Sequence, residues 1–177
     1  NRADTYVQIS DFKKALQDCD TATKYIEQGV NKAQLAFIYN IRADIYWHLK
    51  QYQLSIEYVN KALQIHEETG NTRMVGQAYS DKADWFAINK KFDTAVAFYL
   101  KAIHIADSIN DESNLSRYHS SLSDTYLQMN KINEAASAGL QALKNAEAED
   151  NPVQKAFIHT LLCRIYTSQN NPEVAIR

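Results

Sequence analysis

Asp44, Asp84 and Asp124 recur at a spacing of 40 residues, each inside a set of polar and aromatic residues set 3 or 4 positions apart. The first set is Phe37, Asn40, Asp44 and Trp47; the second is Gln77, Ser80 and Asp84; the third is Arg117, Ser120, Asp124 and Leu127. Such spacing places each set on one stripe of a helix. On helices packed about 8–10 Å apart the carboxylates stay ionised individually instead of sharing a proton, which makes a row of negative charge. Asn and Ser beside them can hydrogen-bond a peptide backbone, and Phe37 with Trp47 can seat an apolar side chain, so the stripe suits a peptide or protein segment of basic or amide-rich character. Phe157, Thr160, Arg164 and Thr167 are the fourth set, and Arg164 breaks the acidic row. The competing reading is that each Asp pairs with a neighbour such as Lys82 or Arg117 and only orients helices, since charged faces are usually just solvated.

Catalytic chemistry finds no comparable pattern. The sequence has no Gly-rich phosphate loop, no Gly-x-Ser-x-Gly, no His-Glu-x-x-His and no Cys-x-x-Cys. Cys19 and Cys163 lack His neighbours placed to activate a thiolate. His119 and His159 share a phase and could face each other, but Tyr39 and Tyr79 occupy the same phase, so the pair reads as two half-buried ring positions. The expectation is a binding module with no enzyme activity, no cofactor and no metal.

The elements that must carry the stripe follow from the period. Ala3-Asp4-Thr5-Tyr6, Ala43-Asp44-Ile45-Tyr46, Ala83-Asp84-Trp85-Phe86, Ser123-Asp124-Thr125-Tyr126 and Cys163-Arg164-Ile165-Tyr166 fall in one unbroken 40-residue phase. A fixed period of this size is the mark of a solenoid. Each unit reads as two helices, with first helices near 1–9, 32–49, 72–89, 112–129 and 152–169 and second helices near 12–28, 52–69, 92–109, 132–148 and 172–177. Asn31, Asn71, Asp111 and Asn151 stand where each first helix begins and can cap its free amides. Ala15, Ser55, Ala95, Ala135 and Ala175 share one phase, and Ala22, Ala62, Ala102 and Ala142 another, which marks the points of close helix approach. Tyr6, Tyr46, Phe86, Tyr126 and Tyr166 read as the core bulk between repeats.

Ala83, Phe86, Phe92, Ala95, Tyr99 and Ala102 stand at the mutual spacing of the tetratricopeptide repeat family, which the whole chain resembles. The resemblance implies an all-α, right-handed superhelix of antiparallel helical hairpins whose first-helix face lines a concave peptide-binding groove. The 40-residue period exceeds the family's usual 34, and this longer variety is similar to sensor regions of bacterial regulators. The implied role is a protein- or peptide-binding scaffold, the sensing or regulatory part of a larger signalling or transcription-control protein, or else a free-standing adaptor. Gly139 in the phase of Tyr99, and Pro172 in that of Phe92, depart from the pattern and put packing of the last two repeats in question.

Composition sets the outer bounds. Nineteen Lys and Arg against 21 Asp and Glu leave a formal net charge of −2, which gives no footprint for a nucleic-acid backbone. Four Gly and two Pro in 177 residues agree with an all-α chain. The two cysteines are too far apart in a solenoid to pair, and both read as buried apolar side chains. No apolar run is long enough to span a membrane. The expected organisation is one repeat domain over 1–177, with whole repeats at 31–70, 71–110 and 111–150 and partial repeats at 1–30 and 151–177, cut from a longer protein. Its truncated ends would leave Val7, Phe12, Ile165, Val174 and Ile176 bare and invite self-association. The expected setting is a soluble domain in the cytoplasm, or in the periplasm for part of a membrane-bound sensor.

Overall fold

The computed structural model describes residues 2–29, 31–148 and 151–170, with side chains for 11–26, 31–148 and 151–169. Within them the chain is α-helical throughout: α1 (Arg2–Gly29), α2 (Lys32–His48), α3 (Tyr52–Glu68), α4 (Thr72–Ile88), α5 (Phe92–Ser108), α6 (Glu112–Gln128), α7 (Ile132–Ala148) and α8 (Pro152–Asn170). From α2 to α7 the helix limits fall within a residue or so of the periodic expectation. Two compact units result, residues 1–78 and 79–177, and the division falls within α4.

The regularity is written in the turns. Lys50, Gly70, Lys90, Asn110 and Asn130 all have positive φ, between 52° and 68°. Around each, the two amides that follow the helix turn back to its last carbonyls, as where Lys50 N–H donates to Trp47 O at 2.9 Å and Gln51 N–H to Tyr46 O at 2.8 Å. The same pair recurs where Lys90 N–H donates to Ala87 O and Lys91 N–H to Phe86 O, both at 2.9 Å. This left-handed C-terminal motif satisfies carbonyls that the helix end would otherwise leave open. At the other ends, the side-chain oxygens of Asn31, Asn71, Asp111 and Asn151 accept from the amides of Gln34, Met74, Asn114 and Gln154 at 3.2, 3.4, 3.3 and 3.0 Å. All four expected caps are therefore formed.

The first hairpin departs from the register. Residues expected as two helices, 1–9 and 12–28, form the single helix α1. A left-handed turn at a non-Gly residue costs about 1–2 kcal/mol, which the longer hairpins offset by packing two helices together. Here the helix continues through the expected turn instead, adding a hydrogen bond per residue. The expected helix at 172–177, with Pro172, Val174, Ala175 and Ile176, lies outside the described residues, as does the side chain of Val7.

In the first unit, α2 packs against both α1 and α3. Arg42 is buried between them and held at both terminal nitrogens: Nη2 donates to Asp20 Oδ1 at 2.7 Å and Thr23 Oγ1 at 3.2 Å, and Nη1 to Tyr58 Oη at 3.1 Å. Ser55 donates to Ala43 O at 2.8 Å, which holds α2 and α3 at close approach. In the second unit, α6 packs against α5, α7 and α8. Ser123 there donates to Ala135 O at 2.7 Å, the same pair of positions with the hydroxyl moved to the other helix. Ala83 and Ala95, at those positions in α4 and α5, are both fully buried. Ala62, Ala102 and Ala142 likewise have no exposed surface, as the small-residue phases predict.

The aromatic positions differ from the expectation of a plain core. Tyr46 stacks on Tyr58 with centroids 5.5 Å apart, and Phe86 stacks on Phe98 at 5.4 Å. These rings are only half-buried, and basic side chains lie over them: Arg42 and Lys61 over Tyr58, Lys82 and Lys101 over Phe98. Tyr166 is 43% exposed. Ile165, expected to be bare at the chain end, is instead wholly buried in a cluster with Leu161, Leu162 and Ala142. Cys19 is buried as expected, but Cys163 is exposed. Gly139 is not a packing defect: a Cβ there would lie 2.8 Å from Leu162 Cδ2 and 3.2 Å from Ser123 Oγ, so α8 fills the place of the missing ring.

Candidate partner-binding face

In the first unit the candidate stripe runs along α2. Phe37 is 65% exposed and Asp44 is exposed. Asn40 bridges to Nε2 of the buried His66 at 3.1 Å, which fits a neutral ring accepting from the amide. Burial also pushes His66 below the ordinary histidine pKa. Trp47 is half-buried, edge-on to Tyr52 at 5.0 Å. Gln77 is half-buried on α4.

In the second unit the stripe is more internal than its polarity suggests. Ser80 is 1% exposed and Ser120 is 3% exposed. The Ser120 hydroxyl donates to Ser116 O at 2.8 Å, within its own helix. These two serines are packing residues and do not offer hydroxyls to an open groove. Asp84 is partly buried and accepts from the Tyr99 hydroxyl of α5. Burial lifts the Asp84 carboxyl above the ordinary carboxylate pKa, with the Tyr99 hydrogen bond and the Arg117 charge opposing it. Asp124 accepts from Arg164 Nη1 at 3.2 Å and from Gln128 Nε2 at 2.7 Å. Arg117 is exposed, lies over the Tyr118 ring and donates to Asn114 Oδ1 at 3.2 Å. Burial pushes the Tyr118 hydroxyl up to about 12. In this unit both carboxylates of the acidic row are thus engaged by partners.

Leu127 and Arg164 from the expected set meet in a cleft of about 720 Å³, where they are joined by Lys90, Phe92, Gln128, Asn130, Ile132 and Cys163. Lys90 and Asn130 were not singled out in the sequence, because their place in the cleft comes from the left-handed turn geometry that a helical wheel does not describe. In sequence Tyr99 reads only as an aromatic at a core spacing; its hydroxyl's reach to Asp84 depends on the two helices folding back on each other. His119 is half-buried, and its buried Nδ1 has no hydrogen-bond partner among the described residues; it lines a smaller cavity of about 260 Å³ with Asp107 and Lys144. His159 is exposed. Among the described residues no group of three His, Cys, Asp or Glu side chains is arranged to hold a metal. No described helix is long and apolar enough to cross a membrane.

Residues 34–108 match the tetratricopeptide repeat pattern. No curated protein sequence matches the chain. The fold is similar to that of RapI in its apo form, at 18% identity and a TM-score of 0.81, over 97% of this chain and 64% of RapI. It is also similar to aspartyl phosphate phosphatase F from Bacillus subtilis, at 15% identity and a TM-score of 0.83, over 96% of this chain and 46% of that one. A third likeness, at 22% identity and a TM-score of 0.70, is to a signal transduction ATPase from Pyrococcus horikoshii with a tetratricopeptide repeat sensor, over 96% of this chain and 27% of that one. The chain therefore spans less than two thirds of the length of each. Residues 34–108 are thus tetratricopeptide repeats, and the chain as a whole has the fold of tetratricopeptide-like helical solenoids.

Proposed function

We propose that this chain is a non-catalytic scaffold that binds segments of partner proteins, and that it serves as the sensing or regulatory part of a larger signalling protein. One observation carries the reading: on the first helices, large aromatic and charged side chains stay at the surface, as Phe37 and Asp44 do on α2 and Arg164 on α8. A large exposed aromatic beside charge is how a solvent-facing helix stripe becomes a recognition surface. The likeness in fold to a chain with a tetratricopeptide sensor and to a phosphatase of the same architecture supports the regulatory setting. Residues 1–177 are on this reading one part of a repeat domain, with whole repeats at 31–70, 71–110 and 111–150. The test is capture of short random peptides displayed on phage by the chain, set against a Phe37→Ser, Arg164→Gln variant of unchanged helicity. Capture by the first and its loss in the second supports the scaffold; absence of any capture overturns it.

A further inference from the structure

The cleft between α6 and α8 carries more information than its shape. Among the described residues, Lys90 and Arg164 are the charged side chains that line it, and no carboxylate does. Asp124 engages one of the five guanidinium N–H groups of Arg164 from beside the cleft, and the Arg164 side chain stays 60% exposed. The Lys90 ammonium sits on a turn at φ 58° and makes no ion pair among the described residues. Phe92, Leu127 and Ile132 supply apolar surface. The two stripe carboxylates of this unit already have partners, Asp84 accepting from Tyr99 and Asp124 from Arg164.

We propose that this cleft receives an acidic segment of a partner protein, an Asp or Glu carboxylate lying between Lys90 and Arg164 and a neighbouring apolar side chain resting on Phe92, Leu127 and Ile132. The assignment rests on the scaffold reading and names the ligand chemistry at one of its surfaces. It reverses the sign of the ligand expected from the acidic row, because in this unit Asp84 and Asp124 are engaged by Tyr99 and Arg164. Two cations, one from the turn between α4 and α5 and one from α8, with an amide from Gln128 or Asn130 within the same lining, suit a planar carboxylate better than a basic side chain, which they would repel.

The experiment is a selection of short random peptides displayed on phage against the wild-type chain, followed by rebinding of the captured pool to a Lys90→Gln, Arg164→Gln variant. Exposed Cys163 in the lining gives an independent readout, since a bound peptide slows its reaction with a thiol reagent while buried Cys19 reacts slowly throughout. Peptides that protect Cys163 and lose affinity in the variant, by about two- to fivefold per cation removed, are expected to be enriched in Asp or Glu next to an apolar residue, and their binding weakens with salt. Enrichment in Lys or Arg in that subset, no charge preference, or captured peptides none of which depends on the two cations, would overturn the assignment while leaving the scaffold standing. Absence of any captured peptide would overturn the scaffold itself.

Discussion

Arg164 Nη1 donates to Asp124 Oδ1 at 3.2 Å, joining two first helices at positions 40 residues apart. The pair sits at a half-open surface, with side-chain exposures of 60% and 35%, so water screens most of its attraction. Asp124→Asn and Arg164→Gln should each change the unfolding free energy by less than about 1 kcal/mol, and their coupling in a double-mutant cycle should shrink with added salt. Chemical denaturation of the two singles and the double checks this.

Asp84 behaves differently because it is less exposed and serves as the acceptor of the Tyr99 hydroxyl. Its pKa is raised in the folded chain, so folding binds its proton more tightly than the unfolded chain does. Its effect on stability is therefore most favourable below the ordinary carboxylate pKa and declines as pH rises through the raised value. Asp84→Asn keeps an acceptor for Tyr99 and removes the ionisation, so its stability should not show that decline. Tyr99→Phe leaves the carboxylate without its donor and should cost about 1–3 kcal/mol at neutral pH. Melting curves across the acidic to neutral range distinguish the three chains.

His66 gives the opposite pH dependence. Burial lowers its pKa from 6.5, so the neutral ring is favoured in the fold and its stabilising effect is present above that pH. It is lost as pH falls through the lowered folded value. His119, also lowered by burial with Asp107 opposing, adds in the same direction. The two histidines should thus contribute a loss of stability on mild acidification, opposite in sign to Asp84, and His66→Asn should reduce that contribution without abolishing it, because His119 remains; thermal melts of both chains at a series of pH values measure the difference.

Gly139→Ala sets helix propensity against space. The substitution gains up to about 1 kcal/mol of propensity. Its Cβ, 2.8 Å from Leu162 Cδ2 and 3.2 Å from the Ser123 hydroxyl, introduces overpacking of the kind that costs about 1–3 kcal/mol. Net destabilisation is expected, and trimming the obstructing side chain with Leu162→Val should recover part of it. Denaturant midpoints of the single and double variants test the compensation.

Much of the fold was legible because a repeat states its constraints several times. Asn31, Asn71, Asp111 and Asn151 announce four helix starts in one register, and fully buried Ala83, Ala95, Ala102 and Ala142 mark close approach wherever they recur. What repetition cannot show is the fate of the copies at the ends, where α1 runs through its expected turn and Ile165 is buried by α7 and α8. The candidate site was less legible for a related reason. The spacing of Asp84 and Asp124 gives their stripe, but the partner of each depends on tertiary position: Tyr99 from the next helix and Arg164 from the next repeat. Ser80 and Ser120 are polar in sequence and buried in structure because each is small enough to fit beneath a packed neighbour.

The proposed partner-binding surface lies on the first helices, and amide chemical-shift mapping of a captured peptide on the chain locates it residue by residue. The expected result is that perturbed amides cluster on α2, α4, α6 and α8 and on the Lys90 and Asn130 turns. Perturbations confined to α3, α5 and α7 would contradict it.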